Sequence, residues 1–408
     1  MRELIPHSRK LFAVVIAAAA LLSSCKREED TNEEYGGSYL MIEGGTSVLI
    51  IDTPVNIRDS TIYFPEDMET VYGHSYLSEQ EKEIYDSLVE AIGNEDESVP
   101  MQAGGEVYTK ILNLIGVEQM GYGHVLDRKV GSFDVDNQRF PVVFDYRFTC
   151  EEMSNMNRAA EAVANEIMQE ISPSMSQYDK LKYFHDYLIT HCESDADDEY
   201  ANTIYGALVR GKALCEGYAK SFSYLCNKAG IENIIVTGLT TTAHMWNMVK
   251  IEGNWYHVDV TWDKPEGTLA EMYPDMVLYQ YFLVTDSVIE NNHKIWTIAA
   301  DPPKAYGTKE NYFIKEGFYI EKEEDAEKII ESALRRTVSD GKHIASVKFS
   351  TNNQLLSIVS KMSESASGNG DFLKGAIANI SSESGIKLNI NWTDYYSPYR
   401  ILVFEVEY

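Results

Sequence analysis

The sequence predicts an α+β protein, and three observations carry that expectation. Amphipathic helical spacing recurs up to residue 229, two strand-like runs follow at 243–249 and 255–263 around a Glu252-Gly253 pair, and strands alternate with helices from about residue 312. The chain has 408 residues, with 44% hydrophobic and 24% charged, enough for two or three domains with sizeable cores. Its 35 Lys and Arg face 64 Asp and Glu, a formal net charge of −29. A surface this acidic repels a phosphate backbone and no basic cluster stands out, so nucleic acid is excluded as an expected partner.

The first 24 residues read as a secretory signal: Arg2, Arg9 and Lys10 precede an unbroken apolar run from Leu11 to Leu22. The run ends in Leu22-Ser23-Ser24-Cys25, which resembles a bacterial lipobox, so Cys25 is the expected lipidation site and the mature N-terminus. Export to a membrane face outside the cytoplasm follows. The charged stretch Lys26 to Asp30 loosely resembles surface-export signals of outer-membrane lipoproteins. Residues 25–75 form a tether and N-terminal segment, with β-like runs at Ser47 to Ile51 and Thr61 to Phe64.

Residues 76–304 form the main domain. Leu77 to Ala91 has helical spacing with Ser78 and Glu81 placed as a capping box, and Val107 to Ile115 is a second helix. Phe140 to Phe148 alternates as a strand, and Glu151 to Ile171 and Gln177 to His191 are amphipathic helices. Residues 305–408 read as a smaller C-terminal α/β unit. Its expected strands are Tyr312 to Ile320, Ile344 to Phe349, Ile386 to Ile390 and Ile401 to Glu407; its helices are Glu324 to Thr337, Gln354 to Met362 and Asp371 to Ser382, with a Ser/Gly loop at 363–370.

Chemistry concentrates in the middle of the chain. In Gly211-Lys-Ala-Leu-Cys215-Glu-Gly-Tyr-Ala-Lys the cysteine opens a helix that Gly230 stops, and the positive end of the helix dipole favours the thiolate that a nucleophile requires. Cys226, on the apolar face, reads as packing. The two are eleven residues apart on one helix, about 16 Å, so they cannot pair; a bridge between Cys150 and Cys192 has no sequence support. Downstream, His244 lies in Ala-His-Met-Trp-Asn-Met-Val and Asp259 in Trp-Tyr-His-Val-Asp-Val-Thr-Trp-Asp, so nucleophile, base and orienting carboxylate are available in that order. No Cys/His spacing suggests zinc, and the acidic run Asp195 to Glu199 lacks the EF-hand pattern, so neither a metal nor a cofactor is expected.

These blocks, with Thr203-Ile-Tyr-Gly before them and Tyr281-Phe-Leu-Val-Thr-Asp286 after, resemble the transglutaminase-like core of bacterial secreted proteins over roughly residues 140–300. The resemblance implies a papain-like α+β arrangement, the Cys helix packed on an antiparallel sheet that bears His and Asp. It makes Cys215 the nucleophile, His244 the base and later acid, and Asp259 the group that orients the imidazole. Trp246 and Trp262 flank the triad residues as either acyl-site walls or core, and Tyr205 is a candidate oxyanion donor. His257 falls on the Asp259 face, at the rim of the site.

Two functions from different classes fit. One is a thiol acyl-transfer enzyme acting on peptide or protein amides, a peptidase or amidase if water resolves the thioester and a cross-linking transglutaminase if lysine does. The other is a catalytically quiet lipoprotein that uses the cleft to bind peptide or glycan. The hairpin gives a geometric expectation: with Glu252 and Gly253 as the two central turn residues, opposite positions sum to 505, and Asp259 becomes the diagonal neighbour of His244 within strands 244–251 and 254–262.

Overall fold

The computed structural model describes residues 66–122, 125–129, 141–266, 270–271, 276–366, 370–395 and 399–407, with the strand backbones 38–42 and 46–50. The signal segment, Cys25 and Thr61 to Phe64 lie outside the described residues. The chain divides into two compact units, 1–253 with 290–304, and 254–289 with 305–408.

In the first unit, β1 (Ser38–Ile42) pairs antiparallel with β2 (Thr46–Ile50). Helix α1 (Glu79–Gly93) starts where expected, because Ser78 and Glu81 cap each other reciprocally and satisfy donors that the first turn leaves open. It packs with α2 (Gly105–Glu118) around Leu88, Ile92, Ile111 and Ile115, under a three-stranded sheet of β3 (Ser98–Val99), β4 (Val125–Lys129) and β5 (Val142–Tyr146). Thr149 and Ser176 cap α3 (Cys150–Gln169) and α4 (Gln177–His191) in the same way. Helix α5 (Cys215–Lys228) lies on antiparallel β6 (Asn233–Leu239) and β7 (Ala243–Ile251), with the two-residue edge strand Lys294–Ile295 on the other side of β6. Asn247 Nδ2 donates to the Ala219 carbonyl at 2.9 Å and Ser223 Oγ to Asn233 Oδ1 at 2.5 Å, pinning helix to sheet with buried polar groups. The Cys-bearing helix on an antiparallel sheet is thus present.

In the second unit, β8 (Asn254–Val258) pairs antiparallel with β9 (Phe282–Val284). The C-terminal part is an α/β layer. Its sheet runs β10 (Tyr319–Ile320), β11 (Ile344–Phe349), β13 (Ile401–Glu407), β12 (Asn389–Tyr395), parallel at the first pair and antiparallel elsewhere. Helices α6 (Ala326–Ser339), α7 (Asn352–Ala366) and α8 (Lys374–Ser384) accompany it, Ile330 and Leu334 of α6 being fully buried.

Three elements differ from expectation. Tyr312 to Ile320 is a helical turn, Tyr312–Lys315, followed by β10, because Gly317 at φ 78° reverses the chain and Tyr312 stacks on Tyr279 at 3.8 Å. The strand expected at Ile386 begins at Asn389, since Gly385 at φ 71° first closes α8. The strand expected to reach 262 stops at Val258, for a reason that belongs to the site.

Candidate active site

The thiol is positioned by its approach. Gly206 opens a π-helical stretch, Gly206–Arg210, which Gly211 ends at φ 66°. Backbone bonds then strap the chain to the end of α4: Glu193 N–H donates to Gly211 O at 2.8 Å and Ala213 N–H to Glu193 O at 3.0 Å. Leu214 N–H donates to Ala201 O at 2.8 Å, and α5 starts at the next residue, Cys215. None of Cys150, Cys192, Cys215 and Cys226 is joined in a disulfide, and Cys215 alone among these four is not buried. Cys192 Sγ donates to Ala207 O at 3.1 Å, and complete burial pushes the Cys226 thiol well up, so neither favours a thiolate. In the first two turns of α5, Glu216 and Lys220 form a buried pair at 2.7 Å one turn apart.

His244 is buried on β7, opposite Gly238 of β6. Trp246 is 1% exposed and stacks its ring on His244, centroids 5.9 Å apart and planes at 19°. Its surroundings are core. The ring of Tyr205 meets Tyr200 edge-on at 5.2 Å, in a cluster with Phe148, Met153 and Met156. A residue that sequence reasoning missed, His293, is also buried here, its ring 5.5 Å from His244 and 5.0 Å from Trp246. It sits in a Glu-Asn-Asn-His-Lys stretch that carries no motif.

The connection after β7 is Glu252 and Gly253 alone, as the hairpin expectation requires, since the next strand starts at Asn254. Both residues are left-handed, at φ 48° and 81°, so Glu252 shares the positive φ expected of Gly253 only; a type I′ turn needs it at both positions.

In the second unit Asp259 is fully buried, one residue past β8. Its Oδ1 accepts the Trp262 N–H at 3.1 Å, and its carbonyl accepts the Asp263 N–H at 3.2 Å. That side chain to backbone bond turns the chain and ends the strand short of 262. Trp262 stands edge-on to Tyr281 at 5.6 Å, and Asp263 Oδ1 accepts the Tyr281 N–H at 2.8 Å. His257, expected at the rim, is fully buried with Nε2 3.0 Å from Asp286 Oδ1, which also accepts the Ala305 N–H at 3.0 Å.

Residues 161–260 match the family model of the transglutaminase-like superfamily. The chain carries a transglutaminase-like domain. It is similar to kyphoscoliosis peptidase of Homo sapiens, 27% identical over 126 residues, which is 26% of this chain and 19% of that protein. It is also similar to kyphoscoliosis peptidase of Mus musculus, 24% identical over 183 residues, or 38% of this chain and 27% of that protein. The chain therefore spans less than a third of the length of these relatives. Among solved structures, one reported as a TGase is 15% identical, covers 39% of this chain and 48% of its own, and has a TM-score of 0.25. The transglutaminase-like match includes Cys215, His244 and Asp259; His293 lies beyond it.

Proposed function

We propose that the protein is a thiol hydrolase of peptide or protein amides, anchored by lipid on Cys25 outside the cytoplasm, with Cys215, His244 and Asp259 as its catalytic residues. The observation that carries this reading is that one family match contains all three residues while Cys215 is the accessible thiol among the described cysteines, at the first position of a helix. The anchoring part of the proposal rests on the Cys25 motif that ends the apolar run Leu11 to Leu22; among the described residues no helix is long and apolar enough to cross a membrane.

In the reaction, the Cys215 thiolate attacks the amide carbonyl carbon and its electrons move to the oxygen. Collapse of the tetrahedral adduct breaks the C–N bond as His244 donates a proton to the leaving amine, giving a thioester. His244 then takes a proton from water, hydroxide attacks the thioester carbon, and acid and free thiol are released. Asp259 fixes the imidazole tautomer and stabilises its cation. A tethered protein outside the cytoplasm meets few controlled lysine donors, which favours water over amine as the acceptor.

The test is a peptide and protein substrate screen by mass spectrometry, wild type beside Cys215→Ala. Products gaining one water, absent with Cys215→Ala, support hydrolysis; products joined with loss of ammonia assign transamidation instead. Turnover that survives Cys215→Ala refutes the assignment of the nucleophile.

A further inference from the structure

We infer that His293 is a positioning residue for the His244 imidazole, held against it in a three-ring cluster for which Gly238 makes the room. The inference rests on the reading of His244 as the base.

His244 and Trp246 are two apart on β7 and share a face, which produces their offset stack. His293 closes the set, tilted 57° to His244 and 70° to Trp246 at centroid distances within the range of favourable aromatic contacts. Each ring therefore touches both others. A rotation of the His244 ring disturbs two contacts rather than one, and a ring nitrogen of each histidine lies within 4.8 Å of the other.

The third ring is itself fixed. Nδ1 of His293 is 2.6 Å from Asn292 Oδ1, the next two residues pair with Leu239 and Gly238 of β6, and Trp296 N–H donates to Thr237 O at 2.9 Å. Gly238 stands between the ring-bearing strands, opposite His244 on one side and Ile295 on the other. A Cβ there would fall 2.4 Å from the Lys294 carbonyl and 2.7 and 2.8 Å from atoms of the Trp246 ring, contacts too short to keep. The missing side chain is what lets Trp246 lie over β6 while the edge strand delivers His293.

The experiment measures the alkylation rate of Cys215 by iodoacetamide, resolved by peptide mass spectrometry, from about pH 5 to about pH 9, with melting temperatures recorded alongside. This readout needs no substrate. Wild type is expected to show a low-pH limb of reactivity from a thiolate paired with the imidazolium, and His244→Ala to lose it. His293→Ala should reduce the limb on the order of tenfold, since a misplacement of one ångström already costs up to about a hundredfold. His293→Phe, which keeps a ring, should stay within about threefold of wild type, the scale of one altered aromatic contact. Gly238→Ala, which changes none of the three rings chemically, should fall with His293→Ala. A folded His293→Ala protein with the wild-type limb, or a His293→Phe protein as slow as His293→Ala, overturns the inference. A limb that survives His244→Ala overturns the reading of His244 as base, and the inference with it.

Discussion

Gly217, two residues after Cys215, is the position where a single methyl group tests how the thiol is held. A Cβ built there lies 2.2 Å from the carbonyl oxygen of Ala201, and 3.4 Å from the Ala213 Cβ. Comfortable C···O contacts begin near about 3.3 Å, so the first turn of α5 must retreat from the 201 loop by about 1 Å in Gly217→Ala. That loop also accepts the Leu214 N–H, the last backbone bond before Cys215, so the retreat is felt at the thiol. Overpacking of this kind destabilises by about 1–3 kcal/mol. A displacement of one ångström at a reacting group costs about a hundredfold in rate, so the functional loss should far exceed what unfolding explains. The assay pairs urea melts with turnover on any substrate the screen identifies, and with Cys215 alkylation at neutral pH. A Gly217→Ala protein with wild-type stability and wild-type thiol reactivity would refute the claim that close backbone approach sets the position of Cys215.

Cys215→Ala and His244→Ala should each abolish turnover, and the double variant should be little worse than either, because the pair acts as a unit; additive partial losses would place the chemistry elsewhere. Asp259→Asn should lose less than Cys215→Ala, since it removes orientation and charge but leaves the nucleophile, and an equal or larger loss in a protein of unchanged melting temperature would contradict that order. Burial pushes the Glu118 carboxyl up to about 8 even though the Gly73 and His74 N–H groups donate to it. The folded state therefore holds a proton that the unfolded chain releases above about pH 4.5. Stability contributed by this site falls as pH rises from there to about 8, by on the order of 5 kcal/mol. Glu118→Gln should flatten the dependence of melting temperature on pH across that window, and an unchanged slope would count against it. Cys25→Ala should move the protein from the membrane fraction to the soluble one; retention in the membrane would rule out lipid on that residue.

The helices of the first unit were legible because their signals are local. Ser78, Thr149 and Ser176 each cap a helix through a carboxylate three residues on, so Gln177–His191 is found with its expected bounds. The Cys215 helix was legible for the same reason, from a motif at its start and Gly230 at its end. What escaped depends on partners distant in sequence. Tyr312 to Ile320 alternates like a strand, yet the ring of Tyr279, over thirty residues earlier, favours a helical turn at Tyr312. Asp259 reads from the sequence as lying inside a strand, because nothing in Val-Asp-Val-Thr-Trp announces that its carboxylate takes the Trp262 N–H. His293 had no local signal at all. Its place follows from a two-residue edge strand and from the empty side chain position at Gly238, more than fifty residues away.

The same contrast separates the thiol at 215, proposed as the nucleophile, from the one at 226, although one helix carries both. Cys226 is fully buried among apolar groups, which disfavour charge, and its thiol is pushed up accordingly. Cys215 stands where the backbone N–H groups of the first turn have no acceptor within the helix, so the local field there is positive and part of the site meets water. That advantage is opposed by Glu216, a buried carboxylate in the same turn. Lys220 answers it at 2.7 Å, with both side chains almost inaccessible. A buried ion pair is weak evidence for stability, because desolvation offsets most of its attraction. Its effect is clearer in charge: the Lys220 ammonium lies 2.7 Å from the carboxylate next to Cys215 and offsets that negative charge at the start of α5.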